Sequence, residues 1–459
     1  MICFEAWAIL VNYTFVNYLR NIHNKPFMKK YCLFTCIITL FLSLDSLAQG
    51  NQHKALAQTI LNNPAFDTVQ NKAIKLLSGF SAGTSYNEVW IRDFNTFIDG
   101  SLQAHPKEEV KQMLLMFFKI QGDDGNIVDG VVETKKANVG YNYRHSDLLP
   151  GWEAHKNTVE TDQESSLVQA VRKYIDVTGD VSILHEQIGG KPVIGRLEAA
   201  LNYIMTDRWS SKYGLVTGAT TIDWGDVQPE TGWGVAINQK TKWAIDIYDN
   251  AMFAIALRDF IHFKPNDYKS SRNWAAVSAK LKTNVRKYLW DAKAQKYIPH
   301  LYLDGSPFSK GFRENEILYT GGSVCAILAG FNTKAEVLEI NRQMRAAAAK
   351  EPHATIGMTV YPPYPKEEFP NMAPFNYQNA GDWTWFGGRM PQALLNYGLA
   401  QQAYDDLKPM IDRTIANKGF FEWYNVKTGA PSGSGSFRGE AGVLYDAINA
   451  LRQWAAKQN

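Results

Sequence analysis

The chain has 459 residues, a formal net charge of +3 and four cysteines; 20% of residues are charged and 45% hydrophobic. That balance excludes a disordered or low-complexity chain, and it lacks the Lys and Arg excess that non-specific nucleic-acid binding needs. The length allows one large domain or two to three ordinary ones.

The N-terminal stretch reads as a leader. Lys29 and Lys30 form a basic region, Leu33 to Leu44 an apolar core, and Ser46 and Ala48 are small residues placed before Gln49. This pattern predicts a secretory signal peptide over 28–48, with cleavage near Ala48-Gln49. Met28 is then the expected start and Met1–Phe27 an upstream extension. The apolar core is shorter than the ~20 residues a membrane span needs. The mature chain, 49–459, is expected to be one periplasmic or secreted domain without a membrane span. Cys3, Cys32 and Cys36 leave with the leader, and Cys325 alone makes no intramolecular disulfide.

Helical periodicity then predicts helices over Val110–Ile120, Ser165–Val177, Arg196–Met205, Asn250–His262, Ala275–Leu289, Gly322–Gly330, Lys334–Ala349, Pro391–Leu407 and Gly442–Ala456. Strand-like alternation is sparse. Loops dense in Trp, Tyr, Gly, Asp and Glu separate the helices, and three of the spacings between them run near 70 residues. That is long for a solenoid repeat and suits a closed ring of helical hairpins that bring their loops to one end. The expected fold class is all-α, an (α/α)6 toroid.

The loops supply few chemistries. The histidines are scattered, with no HxxxH or HExxH pair. There is no calcium-loop pattern, no GxSxG and no phosphate-cradling Gly loop, so no metal or cofactor is expected. What remains is carboxylate flanked by aromatics. Aromatic residues reach 13% of the chain, with 13 Trp and 22 Tyr. Sugar-binding clefts are built from such faces, and the expected partner is an oligosaccharide.

Four segments carry this pattern. In Tyr86-Asn-Glu-Val-Trp-Ile-Arg-Asp93, Trp90, Arg92 and Asp93 precede a helix and suit vicinal hydroxyls, although Asp93 also suits a helix N-terminus. In Thr221-Ile-Asp-Trp-Gly-Asp226, Asp223 and Asp226 flank an indole. A carboxyl so placed is partly desolvated, which raises its pKa and favours a general acid. In Asn376-Tyr-Gln-Asn-Ala-Gly-Asp-Trp-Thr-Trp385, the residues Tyr377, Gln378, Asp382, Trp383 and Trp385 combine hydrogen bonding with stacking. In Gly419-Phe-Phe-Glu-Trp-Tyr424, Glu422 is a lone acid among aromatics. Asp246 or Asp249 suits a helix cap, and Glu440 the start of the last helix.

The order of these segments resembles the six-hairpin glycosidases, and loosely the alkaline/neutral invertase family. Tyr86 to Phe94 matches that family's Tyr-Asn-x-Val-x-x-Arg-Asp-Phe segment. Tyr377 to Trp383 and Glu422-Trp-Tyr424 match two others in part, and Ile222-Asp223 is the nearest match to the context of the family's catalytic Asp. The resemblance implies an (α/α)6 glycoside hydrolase whose second carboxylate falls on Glu422. The surroundings of Asp223 depart from the family pattern, so sucrose specificity is not implied and Asp226 serves equally as the acid. The expected reaction is inverting hydrolysis of an oligosaccharide.

Two alternatives stand beside it. One is a lyase, dehydratase or hydrolase acting on uronate-containing oligosaccharides through Tyr143 and His145. The other is a non-catalytic carbohydrate-binding protein.

Overall fold

The computed structural model describes residues 51–458 apart from 138–141, 231 and 233. The expected leader over 28–48 lies outside them. The described chain falls into two compact units. One takes the chain up to Asn62 and from Ala455 on, and is helical over residues 51–61. The other, Asn63–Trp454, carries the architecture below.

Within it helices alternate between two kinds. The first kind buries a single face: α1 (Pro64–Leu76) buries Phe66, Val69 and Ala73, and the next helix, α2 (Ile91–Ala104), is of the second kind, buried nearly all round. The alternation continues through α3 (Lys107–Lys119) and α4 (Gln163–Thr178), then α5 (Val193–Asp207) and α6 (Ile247–Phe263). It runs on through α7 (Trp274–Tyr288) and α8 (Thr320–Leu328), then α9 (Lys334–Ala348). A rod broken at Gly388 follows, α10 (Thr384–Gly387) with α11 (Arg389–Asn396). α12 (Ala400–Ala416) and α13 (Arg438–Ala456) complete the series. Among the described residues, six one-faced helices thus alternate with six buried rods.

The buried rods form the inner ring. α2 packs on α4, α4 on α6, α6 on α8, and α8 on α11. Gly388 lies against Val443 of α13, and Gly442 of α13 lies against Phe97 of α2, which closes the circle. Each fully buried Leu or Phe contributes roughly 1.5–3 kcal/mol. This is the all-α toroid expected from the sequence.

Local signals set the helix ends. Pro64 begins α1 behind an Asn63 cap, and a Thr333/Glu336 capping box begins α9. Asp246 caps α6 by accepting from the Asp249 N–H (2.8 Å). The expected helix over Pro391–Leu407 is in fact two. Gly398, at φ 69°, turns the chain between α11 and α12. Periodicity does not reveal α2, because its buried face includes Arg92, Asp93, Asn95, Thr96 and Ser101. Since α2 starts at Ile91, Arg92 and Asp93 occupy its first turn rather than preceding it.

The chain from each one-faced helix to the following buried rod is long, as over 120–162, 208–246 and 349–383, whereas the return at 397–399 is short. The long loops meet where the inner helices begin. Short strands stiffen them. β1 (Val89–Trp90), β2 (Gly130–Glu133) and β3 (Trp152–His155) form one antiparallel sheet that aligns Trp90, Gly130 and His155. β4 (Phe421–Tyr424) pairs with β5 (Pro431–Gly435) in a hairpin.

Candidate active site

The long loops enclose a cavity of about 420 Å³ at the N-terminal ends of the inner helices. Five carboxyls line it: Asp93, Asp129, Glu160, Asp226 and Glu422. Two cations accompany them, and both are already held. Arg92 forms a fork on Asp162 (2.5 and 3.1 Å) and reaches Glu160 (2.9 Å). Lys156 donates to Glu164 (2.7 Å) and to the Ile127 carbonyl (2.7 Å). Both cations are thus matched to carboxylates before any ligand binds.

The floor is aromatic. Trp224 stands edge-on to Trp383 (4.7 Å) and Trp385 (5.4 Å) and stacks on Phe386 (4.3 Å). Trp385 donates its indole N–H to Thr96 Oγ1 (2.7 Å), and Trp383 donates to the Tyr377 carbonyl (3.1 Å). Trp90 forms a wall, edge-on to His155 at 4.8 Å. Its six-membered ring lies over Gly130, where a Cβ would stand 2.9 Å from it.

Glu422 is the most firmly oriented acid. Its Oε1 accepts from Tyr86 Oη (2.8 Å) and Tyr377 Oη (3.3 Å), and its Oε2 accepts from the Ser434 N–H (2.7 Å). Burial pushes its pKa up, and these donors pull against that rise. Asp226 is also raised by burial, opposed by Arg92 and by a hydrogen bond from Gln378. Its Oδ1 has no hydrogen-bond partner among the described residues. Asp93 is pushed up to about 8, again by burial, against the pull of Arg92.

The loops hold these groups by unusual backbone. Asp223 (φ 53°), Phe375 (φ 62°), Tyr377 (φ 50°) and Ala380 (φ 69°) all lie in the left-handed region. Such conformations cost of order 1–3 kcal/mol each and persist where surrounding structure over-determines them.

Most residues singled out in the sequence meet here. Trp90, Arg92, Asp93, Asp226, Tyr377, Gln378, Trp383, Trp385 and Glu422 all line the cavity. Asp223 does not. Its oxygens accept from the Gly321 and Gly322 N–H groups (2.6 and 2.8 Å) at the start of α8. It therefore anchors that helix, with its pKa at about 8 through burial. Asp382 is likewise turned away. It is fully buried, accepts from the Thr355 N–H and Oγ1, and pairs with Arg413 (2.8 Å). Tyr143 stands edge-on to His155 (6.1 Å) without lining the cavity, and His145 is exposed. Glu440 accepts from the Phe421 N–H (2.6 Å) and from Tyr424, which ties α13 to the hairpin bearing Glu422.

Sequence reasoning missed Asp129 and Glu160, and quoted Tyr86 only as part of a motif. Asp129 stands alone between Val128 and Gly130 and has no local signature. Glu160 sits in the acidic run Glu160-Thr-Asp-Gln-Glu164 before α4, and that clustering could have marked it.

No family model matches the sequence, and no curated protein matches it. Solved structures do match the fold. A mannosylglycerate hydrolase of glycoside hydrolase family 63 from Thermus thermophilus, in complex with glucose, aligns with a TM-score of 0.60. The identity is 16%, over 82% of this chain and 99% of that one. A Klebsiella oxytoca rhamnosidase with rhamnose bound aligns at 0.55 and 14% identity, over 84% of this chain and 63% of its own. A family 78 rhamnosidase from Bacillus sp. GL1 aligns at 0.57 and 14%, over 84% of this chain and 34% of its own. The chain thus shares the (α/α)6 toroid fold of these structures. These neighbours lend nothing to the invertase likeness in particular.

Proposed function

We propose that this chain is a glycoside hydrolase that removes a terminal neutral sugar from an oligosaccharide or small glycoside by an inverting mechanism. The observation that carries the reading is the pairing of Asp226 and Glu422. They come from loops far apart in the chain, face one cavity, and differ in how they are held. Asp226, with one unpartnered oxygen beside Trp224, retains its proton and delivers it to the glycosidic oxygen. Glu422, fixed by two tyrosines and a backbone N–H, accepts a proton from the attacking water. Asp93, Gln378 and the indoles of Trp383 and Trp385 hold the sugar, and Arg92 braces that wall. The like-shaped neighbours, a mannosylglycerate hydrolase and rhamnosidases, support carbohydrate chemistry on this scaffold.

Uronate chemistry fits less well: Tyr143 and His145 lie off the cavity lining, and both lining cations, Arg92 and Lys156, are already engaged by carboxylates and not free to hold a uronate.

The test is a panel of aryl glycosides, mannoside and rhamnoside included, with the anomer formed first read by proton NMR. Asp226→Asn and Glu422→Gln are each expected to lose about a thousandfold in kcat. Near-normal turnover in either variant removes that residue from the mechanism, and a product of retained configuration overturns the inverting assignment.

A further inference from the structure

The inner helices enclose a second cavity, of about 470 Å³, lined by residues further along the same rods that begin at the first. It lies on the far side of the indole floor. Arg172 with Asp176 (2.6 Å) and Arg258 with Asp259 (3.2 Å) are ion pairs in its lining. Two other cations in the lining have no such partner among the described residues. Lys173 donates to the Asn95 carbonyl (2.6 Å). Arg389 donates to Thr96 Oγ1 (2.7 Å) and to Cys325, with its guanidinium 4.4 Å from the centre of the Phe386 ring.

Asp446 is the remaining acid of the lining. Burial and the neighbouring Asp99 push its carboxyl above the usual carboxylate range, and it forms no ion pair with Lys173 or Arg389 among the described residues. The same lining contains an acceptor with nothing to accept. Asn95 is 3% exposed, and its Oδ1 has no hydrogen-bond partner among the described residues. Its orientation is set by the other side of the amide, which donates to Gln169 Oε1 (3.3 Å), while Gln169 donates to the Met252 carbonyl (3.0 Å). Cations outside any ion pair and a buried acceptor without a donor leave room for a ligand that supplies both partners. A ligand with one anionic group and hydroxyl donors would satisfy both.

We propose that this cavity is a second ligand site, distinct from the first, for a small polyhydroxylated carboxylate. The carboxylate would lie between Lys173 and Arg389, and a hydroxyl would donate to Asn95 Oδ1. The two cavities share a wall: Thr96 Oγ1 receives both Arg389 and the Trp385 indole N–H. Ligand bound on Arg389 therefore alters the environment of Trp385. The assignment does not depend on the hydrolase reading.

The full chain is titrated with gluconate, with the neutral polyol sorbitol and with inorganic phosphate, by calorimetry and tryptophan fluorescence. Gluconate is expected to saturate with a fluorescence change, and sorbitol is not. Lys173→Gln is expected to weaken gluconate roughly tenfold or more with an unchanged melting temperature. Arg389→Lys serves as a second variant, because it keeps the charge and loses the fork. Absence of saturable gluconate binding, equal binding of sorbitol, tighter binding of phosphate, or wild-type affinity in both variants each overturns the proposal.

Discussion

At the scale of single residues, the candidate site works by opposing burial with hydrogen bonds. Glu422 is buried enough to be raised, and three donors favour its charged form. A general base acts when ionised, so activity falls as pH drops through its pKa. Removing a donor raises that pKa further. Tyr86→Phe is therefore expected to move the acidic limb of the kcat/KM profile up by about one to two pH units, since a hydrogen bond to a charged group is worth about 1.5–3 kcal/mol. An unmoved acidic limb would show that Glu422 is not the group titrating there. The same scale explains why Asp223 misled sequence reasoning. A carboxyl next to an indole has the same local signature whether it faces a ligand or a helix N-terminus. Asp223 and Asp226 are close neighbours in the chain. A left-handed residue at 223 sends the first toward α8 and leaves the second to the cavity.

At the scale of elements, the inner ring depends on close approach between helices. Gly442 of α13 faces α2, where a Cβ would stand 2.3 Å from Phe97 Cβ. Alanine is the better helix former by about 1 kcal/mol, yet here its methyl has no room. Gly442→Ala is expected to lower stability by about 1–3 kcal/mol, read as a fall in melting temperature. A rise would mean that α13 and α2 part without cost. Most of the one-faced helices were legible because a 3.6-residue pattern marks a half-buried rod; α1 was not among those expected. Among the inner rods α2 was not, because polar residues that serve the cavities break its apolar pattern. The merged Pro391–Leu407 prediction failed at one glycine that the apolar pattern bridged.

At the scale of the whole molecule, export is a further proposal resting on the leader pattern alone. Expressed from Met28 in a bacterial host, the chain is expected to begin at Gln49 once exported, a mass that intact-protein spectrometry resolves. A chain retaining residues 28–48 in the exported fraction would contradict it. Among the described residues no helix is long and apolar enough to cross a membrane.

The sequence by itself determined the class of fold and the chemical character of the site. Helical periodicity, sparse strand alternation and aromatic loops rich in acids are local properties, each written within a short stretch of chain. Only the tertiary structure decided which acids share a cavity. Asp93, Asp129, Asp226 and Glu422 are brought together by closure of the ring, while Asp223 and Asp382 are turned into the core by hydrogen bonds to partners 98 and 31 residues away. Such partners have no local signature, because their spacing is set by helix packing and not by the period of any one element.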